Sequence, residues 1–147
     1  MRFDAFTDGA SRGNPGDAGI GVLVQDERGN AVLTLCGYIG VCTNNVAEYT
    51  ALETLLLNAK DLSCSQLVIH SDSELMVRQL GGRYKVRDRA LKSHHARALA
   101  LMKALPFPST IRHIPREENR EADRLANKGI DDRAPVAVLT HSQDRAQ

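Results

Sequence analysis

Four acids, Asp8, Glu48, Asp72 and Asp123, are scattered along a chain of 147 residues, and each falls where an apolar element ends or turns. Asp8 closes a short apolar stretch and precedes the turn-rich run Gly9–Gly16. Glu48 opens a long helical pattern, Asp72 follows the apolar run Leu67-Val68-Ile69, and Asp123 stands beside Ala122, Leu125 and Ala126. Four carboxylates brought to one interior site repel one another unless cations neutralise them. A cation-loaded carboxylate cluster suits chemistry on an oxygen-rich substrate, with phosphate the leading candidate.

Each acid also has an ordinary explanation. Asp8 fits a turn-initiating Asp. Glu48 lies three residues after Asn45, the spacing of a capping box. Its phase argues for more, because it shares a helical face with Leu52, Leu55 and Ala59, and a carboxylate on a buried face is costly unless paired or metal-bound. Asp72 sits just beyond the carboxyl end of a strand, the edge where open α/β sheets bind ligands. A helix dipole also favours an acid there, although Ser71 and Glu74 already offer capping chemistry. Asp123 lies in a densely charged segment, where a solvated helix Asp is commonplace.

The elements that must position these residues read in the order βββαβααβα. Alternation and turn clusters give strands at 2–8, Ile20–Val24 and Ala31–Ile39, with a hairpin turn at Asp26–Asn30. Helical spacing of Ala47, Ala51, Leu52, Leu55, Leu56 and Ala59 gives a helix from about Val46 to Lys60. A strand at Gln66–His70 leads to a helix through Leu75, Met76 and Leu80 that ends at Gly81-Gly82. A third helix spans about Asp88–Leu105, before Pro106 and Pro108. Thr110–Ile114 is a last strand, and residues 118–129 form a short helix ending at Gly129. The fold class is α/β: a mixed five-stranded sheet, three antiparallel strands and then parallel ones, flanked by helices. Residues 1–130 form one domain. Residues 131–147 form a C-terminal tail, either flexible or contributing an edge strand at Val136–Thr140.

Composition narrows the class. Apolar residues make up 42% of the chain, enough for a core, and the net charge is only +1. Cys36, Cys42 and Cys64 show no metal or disulfide spacing, which fits reduced thiols and a cytoplasmic location. The opening residues are too polar for a signal peptide, and no stretch has the length of a membrane span. Neither heptads nor a large apolar patch points to an oligomer, so a monomer is expected.

The contexts of the acids, taken together, carry a resemblance. Thr7-Asp8-Gly9-Ala10 with Gly13-Asn14-Pro15-Gly16, then Thr43-Asn44-Asn45-Val46-Ala47-Glu48-Tyr49, Ser71-Asp72-Ser73, and Pro115–Ala126 around Asp123 resemble, in order, the four motifs of type 1 ribonuclease H. The wording is nearest to its compact archaeal and bacterial branch, which lacks a basic handle. The resemblance covers about residues 1–130, which it identifies as a ribonuclease H catalytic domain. It implies an endonuclease that hydrolyses the RNA strand of RNA–DNA hybrids, leaving 3′-hydroxyl and 5′-phosphate ends. It implies that Asp8, Glu48, Asp72 and Asp123 bind two Mg²⁺ ions, with Mn²⁺ as a substitute, and that Asp8 bridges them. The RNA–DNA hybrid is the expected partner, and double-stranded RNA is a second duplex that the compact branch can accept.

Substrate contacts follow from the same motifs. Asn14, Asn44 and Asn45 carry amides suited to base edges and 2′-hydroxyls in a minor groove, and Thr43 is matched to a contact with a DNA phosphate. Between Arg78 and Arg97 the chain holds seven basic residues against a single acid, Asp88. Within that segment the loop residues Lys85 and Arg87 are the expected phosphate contacts. Many bacterial members carry a catalytic histidine on a mobile loop before the fourth acid. Here Arg116 is the candidate for that place and His113 the alternative. Glu74 is expected to cap the helix after Asp72.

Overall fold

Three long strands lead the chain in this computed structural model, which describes residues 1–141: β1 (Arg2–Gly13), β2 (Gly16–Gln25) and β3 (Ala31–Cys42). They pair antiparallel in sequence. The turn between β2 and β3 forms as its residues dictate. Asp26 Oδ1 accepts the backbone N–H groups of Arg28 (2.9 Å) and Asn30 (3.0 Å), and Gly29 takes the left-handed conformation at φ 83°. The glycine-rich run after Asp8 is not the loop its composition suggested. β1 continues through it to Gly13, in register with β2 as far as Gly13↔Gly16.

The remaining elements are α1 (Asn44–Ala59), β4 (Gln66–Ser71), α2 (Glu74–Leu80), α3 (Arg89–Ala104), β5 (Ser109–His113), a 3-10 turn at Arg116–Glu118, α4 (Arg120–Asp132) and β6 (Ala137–His141). The sheet has six strands in the order β5-β4-β1-β2-β3-β6. β4 pairs parallel with both β1 and β5, and helices in the connections supply the long crossovers that parallel pairing needs. β6 pairs antiparallel with the outer edge of β3 and adds one strand to the five expected. Residues 142–147 of the expected tail lie outside the described residues.

The main core lies between the sheet and α1, where Phe3, Ala5, Val22, Val24, Leu33 and Leu35 meet Tyr49, Leu52, Leu55 and Leu56. On the other side α4 packs mainly on β2 and β3. Gly129 is not the stop signal expected of it. α4 runs on to Asp132, and Arg133 takes the left-handed cap at φ 48°. A Cβ on Gly129 would strike the backbone of Gly37, so this glycine lets the helix approach the sheet. No helix among the described residues is long and apolar enough to cross a membrane.

Candidate active site

The site is assembled by register and by two glycines. Thr7 and Ser71 are paired residues of the parallel β1–β4 ladder, so the next residue of each chain segment, Asp8 and Asp72, stands side by side with the other. Asp8 lies opposite Gly21 in β2, and any side chain at Gly21 would strike the carbonyl of Ala122. That vacancy lets α4 lie against the sheet and brings Asp123 over Asp8. Gly9 plays the same part for α1. A Cβ there would collide with the backbone at Ala47, and instead the Gly9 N–H donates to Glu48 Oε1 at 3.0 Å.

All four acids consequently line one cavity of about 460 Å³, together with Arg12, Asn44, Arg116 and Asn127. Asp8 is 5% exposed and Glu48 4%. One carboxylate oxygen from each of Asp8, Glu48 and Asp72 lies within 4.8 Å of the others. Asp123 lines the same cavity outside this close set and helps raise the Asp8 pKa.

The electrostatics follow from this crowding. Burial, then the charges of Glu48, Asp72 and Asp123, drive the Asp8 carboxyl far above its ordinary range. Burial and Asp72 also push Glu48 up, partly offset by the Gly9 N–H and the Arg116 guanidinium. Two guanidinium groups line the cavity against four acids, and one of them, Arg12, is already paired with Asp131, so the donor set is short of positive charge. Hard oxygen ligands, a deficit of positive charge and two carboxyls that resist ionisation fit divalent cations such as Mg²⁺.

The capping expectations change in detail. Thr43, not Asn45, is the N-cap of α1, its Oγ1 accepting from Val46 N at 3.3 Å. Glu48 is therefore outside any capping box, and its burial belongs to the site. Ser73 caps α2 through Met76 N at 3.2 Å. Glu74, expected as a cap, instead accepts from Arg78 Nε at 2.9 Å one turn on.

The other named residues divide into groups. Asn14, Asn44 and Asn45 are exposed and neighbouring, and Asn14 Oδ1 accepts from Asn44 N at 3.1 Å. Ser11 Oγ also donates to the Cys42 carbonyl at 2.8 Å, which ties the β1–β2 hairpin to the end of β3, just before α1. Arg116 lines the cavity of the acids, whereas His113 lines a separate one of about 290 Å³ with Glu74 and Arg78. Lys85 and Arg87 are exposed in the loop between α2 and α3. Two of the seven basic residues counted there are already paired: Arg78 with Glu74 and Arg97 with buried Glu53. His94 and His95 are likewise engaged, with Glu53 (2.7 Å) and the Gln79 carbonyl (3.0 Å). Tyr84 is 46% exposed and lies beneath the Arg78 guanidinium.

Two amides escaped notice in the sequence. Asn119, 1% exposed, donates to the Thr7 carbonyl (2.9 Å) and to Asp72 Oδ2 (3.3 Å). Asn127 donates to the Asp123 carbonyl (3.0 Å) and to its Oδ1 (3.3 Å). The signal was present in their spacing, one helical turn before and after Asp123.

Comparison with known proteins gives a consistent result. Residues 6–129 match the family described as "Reverse transcriptase-like". Ribonuclease HI of Halobacterium salinarum is 40% identical over 131 residues, which is 89% of this chain and 65% of that protein. The chain thus spans less than two thirds of that relative, but 93% of Ribonuclease H of Halorhodospira halophila, at 34% identity. Among solved structures, RNase H1 of Halobacterium salinarum NRC-1 superposes with a TM-score of 0.84 at 39% identity, covering 90% of this chain and 99% of that one. LC11-RNase H1 in complex with RNA/DNA hybrid superposes with a TM-score of 0.79 at 44% identity, covering 88% and 97%. With this agreement in sequence and in fold, the chain belongs to the type 1 ribonuclease H family.

Proposed function

We propose that this protein is an endonuclease that hydrolyses the RNA strand of RNA–DNA hybrids, acting as a monomer. The observation that carries this reading is the convergence of Asp8, Glu48, Asp72 and Asp123 on one cavity, with the exposed amides of Asn14, Asn44 and Asn45 gathered at α1's start. The four acids would hold two Mg²⁺ ions, or Mn²⁺ in their place, with Asp8, hemmed in by the other three, the carboxylate central to that donor set. When bound, such ions activate the attacking water and stabilise the leaving oxygen.

The chain's own residues do the rest. Water adds at phosphorus, the bond to the 3′ oxygen breaks, and the proton balance leaves a 3′-hydroxyl and a 5′-phosphate. Asn14, Asn44 and Asn45 bind base edges and 2′-hydroxyls in the minor groove, which distinguishes RNA from DNA. Asn14 Oδ1 accepts from Asn44 N, which leaves its Nδ2 group as the donor for substrate. Thr43 Oγ1 accepts its capping bond and keeps its own hydrogen to donate to a DNA-strand phosphate. Arg116, beside Glu48 in the cavity, supplies positive charge at the scissile phosphate and assists its release.

The test is cleavage with Mg²⁺ on matched RNA–DNA, RNA–RNA and DNA–DNA duplexes. Internal cuts in the RNA strand of the hybrid and an intact DNA duplex are expected, and the RNA–RNA arm decides whether that duplex is also a substrate. Asp8→Asn should abolish cleavage while the circular dichroism spectrum stays unchanged. Cleavage of the DNA duplex, or full activity of Asp8→Asn, would overturn the assignment.

A further inference from the structure

Asp123, half-buried like Asp72, depends for its aim on the residues that grip it. Asp8 and Glu48 are buried on elements that meet at the sheet edge, whereas Asp123 is half-buried on α4 and lies outside the tight oxygen set of Asp8, Glu48 and Asp72. A half-exposed Asp side chain has alternative rotamers, so its direction is set by whatever grips it. Asn127 grips it from one turn further along, through the bond from Nδ2 to Asp123 Oδ1 at 3.3 Å.

An amide is nearly symmetric in shape, and the flipped orientation would aim Oδ1 at the carboxylate and repel it. Arg12 removes that ambiguity. A guanidinium only donates, and Arg12, near the end of β1, donates to Asn127 Oδ1 at 3.3 Å and to the Asn127 carbonyl at 3.5 Å. With Oδ1 engaged by a donor, Nδ2 must face Asp123. Asp131, a further turn along α4, holds the other side of the guanidinium at 2.7 Å. Arg12 and Asn127 both line the cavity of the four acids.

We propose that Asn127 is the positioning residue for Asp123 and that Arg12 acts through Asn127, the two forming a relay that orients the fourth carboxylate toward a divalent cation. This inference rests on the metal-site reading of the four acids and assigns two residues to its maintenance. Partners of this kind, one bond removed from a metal, commonly change affinity by about 10- to 100-fold when removed.

The test compares Asn127→Ala, Arg12→Met, the double variant and Asp123→Asn in the full chain. Mn²⁺ affinity is read by electron paramagnetic resonance, and the Mg²⁺ dependence of hybrid cleavage is read alongside. Asn127→Ala should weaken Mn²⁺ binding about tenfold and raise the half-saturating Mg²⁺ concentration, with KM for the hybrid unchanged. Arg12→Met should cause a smaller loss in the same direction, and the double variant should bind no more weakly than Asn127→Ala. Alanine favours the helix, so Asn127→Ala keeps α4 intact. Wild-type Mn²⁺ affinity in Asn127→Ala, or losses that add fully in the double variant, would overturn the relay. Unchanged Mn²⁺ affinity in Asp123→Asn would instead overturn the metal-site reading, a result distinguishable from failure of the relay alone.

Discussion

Asp8 and Glu48 show what crowding four carboxyls into one cavity costs the fold. Both carboxyls are buried among like charges, and both are driven above their ordinary values of 3.8 and 4.5. An acid whose folded pKa is raised binds its proton more tightly in the folded state than in the unfolded state. The stability it contributes is present below the unfolded value and declines as pH rises through the folded one. Metal-free protein should therefore lose thermal stability steadily from about pH 5 into the alkaline range, where Asp8 and Glu48 must ionise together. Saturating Mg²⁺ should remove most of this slope, because a cation offsets the repulsion and releases the protons. Asp8→Asn should flatten it without metal, because the most crowded carboxylate is gone. Melting temperatures across pH, with and without Mg²⁺, would check both expectations. Equal slopes for wild type and Asp8→Asn would contradict the electrostatic account. Asp4 behaves in the opposite sense. Burial raises it, but hydrogen bonds from His70 and Arg2 outweigh that, so its pKa is lowered and it adds nothing to the alkaline loss.

Elements bring these acids together because small residues stand where helices cross the sheet. Gly21 leaves room for the Ala122 carbonyl, and Gly9 leaves room for the backbone at Ala47. Replacing Gly21 with Ala should push α4 off β2 at a cost of about 1–3 kcal/mol, the range for overpacking a tight interior. It should also weaken metal binding, because Asp123 moves with the helix. Urea denaturation and Mn²⁺ titration of the same variant would check both, and a stable variant with full affinity would show that α4 tolerates the shift. The same contacts explain what could be read from the chain and what could not. Glu48's burial was legible because a helical stripe of apolar residues fixes its phase. Asp72's place was legible because the run Leu67-Val68-Ile69 announces a strand end. Gly129 was misread because a glycine at a helix terminus and one at a helix–sheet crossing look identical until the partner, Gly37, is known. The extension of β1 through Gly13 was missed for the same reason. A capping box on Asn45 was an open alternative because Thr43 and Asn45 are both good caps, and only the backbone at Thr43 (ψ 162°) decides between them. The relay through Arg12 spans 115 residues and left no local signal.

At the scale of the whole molecule, a net charge of +1 hides an uneven distribution. Acids concentrate in the cavity, while the segment from Arg78 to Arg97 is basic. Not all of that charge is free to meet a nucleic acid. Arg78 is held by Glu74 and lies over Tyr84, and Arg97 leans on Glu53. Glu53 in turn accepts from His94, so part of the basic segment serves to clasp α3 to α1. Lys85 and Arg87 differ: they lie exposed in the α2–α3 loop and form no salt bridge among the described residues. If they contact phosphates of a bound duplex, each should contribute about one unit to the slope of log affinity against log salt. Lys85→Ala with Arg87→Ala should therefore weaken binding of an RNA–DNA hybrid to a cleavage-deficient Asp8→Asn background and flatten its salt dependence by about two units. Arg78→Ala, whose charge is already engaged, should change the slope far less. Hybrid affinities at several salt concentrations would check the difference. An unchanged slope in the double variant, or an equal loss from Arg78→Ala, would mean that the duplex takes another path across the surface than the one from the acidic cavity to the α2–α3 loop.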